Sequence, residues 1–329
     1  MPRAFLYSLA GVNTALALAG SVYAARRGVP GAVAAPVVAA FLLQISLYLA
    51  AGIPAARRWI EDRLRPSRLA LLVLAWAVTP YLVYSVPTGV FRVPALVALV
   101  GIAAGPALVF VACPARGRGL TWHDVLVLGT IAAAELTKVF RGIYVSPIED
   151  LRVDILGRIM ILGVGAMAYL SLRRLEGCAY RLGASWAEIR EGVRQYCWFL
   201  PLGVGLGLAI GFAGFRPARV DWWIWPLLAV GTFLGIYLAV ALFEELFLRG
   251  VLQNALTHTL GNPLTAQAVV SVLSGLAHLP FRDFPNWRFA LLATLAHWFY
   301  GQAWRRGGIV AASVAHALVV TTWRLLFTG

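Results

Sequence analysis

Long stretches without a charged residue, separated by short arginine-rich turns, set the pattern of this chain. Uncharged runs cover 4–25, 28–56, 69–91, 93–115, 195–215, 222–243 and 250–281. Each is long enough to cross about 30 Å of hydrocarbon as an α-helix, which takes about 20 residues. Shorter or charge-interrupted apolar stretches lie at 125–140, 155–172, 289–304 and 307–323. The pattern predicts about eleven spans, give or take about two. Backbone groups in lipid must pair within their own segment, and no stretch alternates with period two as a barrel strand does. The expected fold is therefore all-α, a polytopic transmembrane helical bundle.

Composition agrees. The 329 residues are 60% hydrophobic and only 13% charged, with a mean hydropathy of +0.78, outside the balance of a soluble domain. The net charge of +14 raises the question of nucleic acid, but the arginines are scattered over turns between spans, where they orient a membrane protein. No nucleic-acid partner is expected. The largest groups, Arg57, Arg58, Arg63, Arg65 and Arg68, then Arg173, Arg174, Arg181, Arg190 and Arg194, mark cytoplasmic loops. The run 4–25 lacks both the basic leader and the small-residue cleavage pattern of a signal peptide, so it reads as a retained span. Cys113, Cys178 and Cys197 have no paired or metal-type spacing, and no disulfide is expected.

The main change in composition is the charged stretch 173–194. It divides an amino-terminal transmembrane region, 1–172, from a carboxy-terminal region, 173–329. Within it Ser185-Trp-Ala-Glu188 has the capping-box spacing and predicts a short interfacial helix before the next span. Pro263 and Pro285 stand near span ends, and Pro201 punctuates the run that starts at Gln195.

One group of charges stands out. Phe243-Glu244-Glu245-Leu246-Phe247-Leu248-Arg249-Gly250 follows directly on a fully uncharged run, and each ionisable side chain inside a membrane helix costs about 2.5–3.5 kcal/mol on insertion scales. Glu245 and Arg249, four residues apart, share a helix face and can pair. Glu244 points about 100° away and has no partner on its own helix, which suits a general base. The plainer alternative is a helix end snorkelling into water, but the chain continues for about two further turns before Gly261-Asn262-Pro263. Glu135 and Lys138, three apart, read as a structural pair.

Of the five histidines, His278, His297 and His316 lie in apolar stretches of the second half, on successive spans after the paired glutamates. A lone histidine on a helix is usually a packing residue; three such residues after a buried acid pair point to chemistry.

This order of motifs, EExxxR on one helix, a histidine ending the next span, then a basic glycine-containing turn and a final helix reading AHALV, resembles the CPBP intramembrane proteases, which include the CAAX prenyl endoproteases and bacteriocin-processing homologues. The resemblance covers roughly 222–327. It implies that Glu244 and His278 activate a water and that His316 faces the oxyanion, while Glu245 and Arg249 hold the helix. Two positions depart from the family pattern. Ser274 replaces a phenylalanine four residues before the histidine, altering a pocket wall. Val320 replaces a polar residue four after His316 and cannot donate a hydrogen bond. Trp323 and His297 are the alternatives for the missing donor. The residues alone also admit zinc held by Glu244, His278 and His316, but HExxH is absent, so metal-free catalysis is favoured and no cofactor is expected.

The resulting expectation is an intramembrane endopeptidase of a prokaryotic cytoplasmic membrane. Its partners would be membrane lipid and a peptide or protein substrate, lipidated or carrying a sorting tail. The alternatives are a pseudo-protease that binds such partners without cutting, which Val320 supports, and a proton-coupled transporter. The latter is disfavoured because the charged motif occurs in one half only.

Overall fold

A computed structural model describes residues 2–281 and 284–328, with Thr328 described by its backbone alone. Every apolar stretch named above is mostly helical. The helices are α1 (Arg3–Arg26), α2 (Gly31–Gly52), α3 (Pro54–Glu61), α4 (Pro66–Ser85), α5 (Val93–Ala112), α6 (Trp122–Leu136), α7 (Val139–Ile143), α8 (Ile155–Leu172), α9 (Trp186–Ala209), α10 (Trp225–Leu260), α11 (Pro263–Leu276) and α12 (Trp287–Leu326). Among the described residues, α1, α2, α4, α5, α8, α10 and α12 are long and apolar enough to cross a membrane. The chain is an integral, multi-pass, all-α membrane protein.

Seven long apolar helices stand where about eleven spans were expected, and the difference has local causes. No breaker separates Phe243 from Gly250, so α10 runs on through the charged motif to Leu260. Glycine in the left-handed conformation at Gly261 (φ +65°) and the Asn262 side chain, which accepts from Leu264 N and Thr265 N, then separate α10 from α11. The stretches 289–304 and 307–323 share α12, which is broken inside at Gly308, φ +75° and ψ −168°. Only glycine adopts that backbone freely. The capping box at Ser185 forms as expected, with Glu188 N bonded to Ser185 Oγ. Its helix, however, is not short. Nothing breaks it after Arg194, and it continues past Pro201 to Ala209 as one element.

The chain divides into two compact units. The first comprises Met1–Gly117 and Thr121–Leu175. In it α2 packs against α1, α4 and α8. Arg173, placed among the loop arginines by the sequence, is buried instead. Its guanidinium grips Asp124 at 2.6 and 3.0 Å, with both side chains essentially sealed, because the turn after α8 returns it to the start of α6. Glu135 meets Arg158 of α8 at 3.0 Å. The expected i,i+3 helical pairing with Lys138 has no helix to form on, since α6 ends at Leu136 and Lys138 is left-handed (φ +53°).

The second unit comprises Glu176–Gly329 and the short piece Arg118–Leu120, which is tied in by an Arg118–Glu176 ion pair and a bond from Leu120 N to Thr259 Oγ1. Here α9 lies along α12, and α11 packs on α12. The α9–α12 seam is small and aromatic, with Phe199 and Tyr300 set among Ala296, Ala303, Ala311, Ala312 and Ala315. Small residues let helices approach closely where lipid gives no hydrophobic drive. At Gly275 of α11 a Cβ would strike Thr294 and come within 2.6 Å of the Ala290 carbonyl. That contact draws the end of α11, and His278 just beyond it, against α12.

Candidate active site

The glutamates sit on a single α-helical turn, Leu242–Glu245, set between two π-helical stretches, Tyr237–Ala241 and Leu246–Gln253. Such i→i+5 turns are uncommon and concentrate at functional sites. Glu245 and Arg249 are fully buried, and the Arg249 Nε donates to Glu245 Oε2 at 3.0 Å. The i,i+4 pair read from the sequence is present, and each charge offsets part of the other's desolvation.

Arg249 does more than pair. Its Nη1 donates to Gln253 Oε1 at 3.0 Å, and its Nη2 donates to His297 Nδ1 at 2.7 Å and to the His297 carbonyl at 2.9 Å. Four of its five N–H donors are thus committed. Glu245 is equally occupied, because its second oxygen accepts from His316 Nδ1 at 2.9 Å. One buried ion pair therefore fixes imidazoles from both sides of the Gly308 break.

Hydrogen-bond chemistry assigns the tautomers. A carboxylate only accepts, so His316 carries a hydrogen on Nδ1. The Ser274 carbonyl, 2.7 Å from His278 Nδ1, demands the same of His278. A guanidinium only donates, so His297 accepts at Nδ1 and carries its hydrogen on Nε2. In all three rings Nδ1 is held by the protein, and among the described residues none of the three Nε2 atoms has a hydrogen-bond partner.

The three rings are neighbours, with centroids 5.9 Å apart for His278 and His297 and 6.0 Å for His297 and His316. Glu244 faces this group. Its Oε2 lies 3.9 Å from His316 Nε2, and its side chain is 34% exposed while that of Glu245 is sealed. The two adjacent acids thus differ in access: one is locked in a network and the other is open.

Of the remaining residues singled out by sequence, Ser274 is buried, its hydroxyl turned back to the Val270 carbonyl. Trp323 packs on Phe327 and Phe212, at 5.0 and 6.4 Å between centroids, and its Nε1 is buried with no hydrogen-bond partner among the described residues. Sequence reasoning missed two members of the group. Gln253 lies four residues past Arg249, so the spacing that linked Glu245 to Arg249 also pointed to it. Tyr300, stacked on His316 at 4.7 Å and 9° and set edge-on to His297, gave no such signal, because it reaches His316 only across the break in α12. Among the described residues no three of His, Cys, Asp and Glu are grouped to hold a metal ion.

Comparison with known proteins is consistent with this geometry. A family model described as type II CAAX prenyl endopeptidase Rce1-like matches residues 223–322. No curated protein and no solved structure matches the chain. The match spans the double glutamate, Arg249, all three neighbouring imidazoles and Tyr300, so over this region, just under a third of the chain, the protein is similar to the CAAX-type intramembrane proteases.

Proposed function

We propose that this protein is an intramembrane endopeptidase that hydrolyses a peptide bond near the surface of a prokaryotic cytoplasmic membrane, with Glu244 as general base and no metal ion. Residues 173–329 supply the chemistry in this reading. The observation that carries it is the contact between the accessible Glu244 carboxylate and His316 Nε2 at 3.9 Å, beside sealed Glu245 and Arg249. A water bonded to both atoms at about 2.8 Å spans that gap with an angle of about 90° at its oxygen.

In the reaction Glu244 takes a proton from the water, whose oxygen attacks the carbonyl carbon of the scissile bond. His278, with Nδ1–H spent on the Ser274 carbonyl, offers the Nε2 lone pair to the same water. His316, anchored through Nδ1 by Glu245, carries a hydrogen on both ring nitrogens in this step and donates from Nε2 to the oxyanion. The proton held by Glu244 passes to the leaving nitrogen as the C–N bond breaks, giving an acid and an amine. A base of this kind accounts for about 10²–10⁴ in rate.

The test uses the full chain in lipid nanodiscs with internally quenched peptides carrying a farnesylated CAAX tail, the same tail without lipid, or a hydrophobic sorting-type tail. Wild type is expected to cleave at least one of them, and Glu244→Gln and His278→Ala are expected to lose turnover while melting like wild type. A wild type that binds these peptides and never cuts them points instead to the pseudo-protease reading, which Val320 favours.

A further inference from the structure

The family position that supplies a second hydrogen bond to the oxyanion is Val320 here, and its side chain has no donor. We propose that His297 takes over this role, donating from Nε2 to the carbonyl oxygen of the bond being cut. The inference rests on the endopeptidase reading above.

Three observations carry it. Arg249 gives Nη2 hydrogen bonds to both Nδ1 and the carbonyl of His297, at 2.7 and 2.9 Å. The side chain is thereby held at two points and its remaining hydrogen is placed on Nε2. The ring neighbours both other imidazoles at about 6 Å, so its Nε2 is within reach of a small group bound between them. His297 is 3% exposed, and a fixed donor in a site that excludes most water is what a developing oxyanion needs. Trp323, the other candidate donor, is two helical turns past His316, about 10 Å along the axis, with its ring committed to Phe327 and Phe212.

The arrangement divides labour among the imidazoles. His278 and His316 are held at Nδ1 by acceptors and present Nε2 for proton exchange or for contact with the water. His297 is held at Nδ1 by a donor and presents a hydrogen. Arg249 is then a positioning residue for the oxyanion site as well as the counter-ion of Glu245.

Two measurements on the full chain in nanodiscs decide the matter. With isotope-labelled histidine, ring-nitrogen NMR at neutral pH is expected to show His297, assigned by its loss in His297→Gln, as the Nε2–H tautomer. A hydrogen on Nδ1 overturns the proposal whether or not any peptide is cut. In the farnesylated CAAX peptide assay, His297→Leu, which has no donor, is expected to lower kcat about 100-fold with little change in KM, and adding Val320→Asn is expected to restore at least about ten-fold of that loss. Full activity in His297→Leu overturns the proposal, as does a loss in a folded protein that Val320→Asn leaves unrepaired. Equal background rates for wild type and Glu244→Gln count against the endopeptidase reading itself, and the tautomer measurement still decides the role of His297.

Discussion

Glu245 accepts a hydrogen bond from His316 Nδ1 at 2.9 Å, across 71 residues of sequence, while its other oxygen holds Arg249. This joins the helix that carries the glutamates to the segment of α12 beyond the Gly308 break. The charge that makes Glu245 expensive to bury is what orients the imidazole, and the adjacent Glu244 is thereby left open toward Nε2 of the same ring.

Removing Arg249 is expected to be severe. Arg249→Met strands the Glu245 carboxylate in a sealed site and frees His297 and Gln253 together. Breaking a buried pair on one side costs about 3–5 kcal/mol. Arg249→Met should therefore melt well below wild type in detergent, and Glu245→Gln/Arg249→Met should recover part of the loss. A single variant as stable as wild type would show that the pair is not closed in the membrane.

Tyr300 tests whether stacking alone orders His316. Tyr300→Phe keeps the ring over the imidazole and should retain stability and KM. Tyr300→Ala removes a buried aromatic, a change that typically costs about 3–5 kcal/mol, and should lower kcat further than that instability explains. Thermal melts beside peptide cleavage at several substrate concentrations separate the two effects.

Gly308 fixes how the two segments of α12 meet. At φ +75° and ψ −168° a Cβ is strained by about 1–3 kcal/mol. Gly308→Ala should lower the melting temperature and displace His316 from Glu245, which the ring-nitrogen spectrum of His316 reports directly. An unchanged spectrum together with an unchanged melt would mean the break is not needed.

Acid sensitivity is expected at the start of α8, outside the spans. The Arg152 guanidinium, bonded to Asp154 at 2.8 and 2.9 Å, holds the Asp154 carboxyl below the usual carboxylate range against the opposing effect of burial. A lowered acid contributes stability that is complete above its ordinary pKa and is lost as pH falls through the folded value. Asp154→Asn should therefore flatten the acid side of the stability profile while leaving neutral pH little changed, by under about 1 kcal/mol for so exposed a partner. Melting curves at a series of acid pH values test it.

The sequence by itself determined the helices, their membrane setting and the local pairs. Uncharged runs long enough to span lipid must satisfy their own backbone, so all-α structure followed from composition and length. Glu245–Arg249 and the Ser185–Glu188 cap depend on residues three or four apart, and helical geometry alone brings those together. Other features depended on how distant segments meet. Arg173 is buried on Asp124 because the chain turns back after α8, Glu135 takes Arg158 because α6 ends early, and Tyr300 covers His316 because α12 breaks at Gly308. The same holds for the imidazoles. Their positions along the chain marked three rings on apolar helices, but which nitrogen of each ring is left open was decided by a carboxylate, a guanidinium and a carbonyl, two of them arriving from other helices. A hydrogen bond across helices has a direction and a length set by packing, and no spacing in the sequence encodes either.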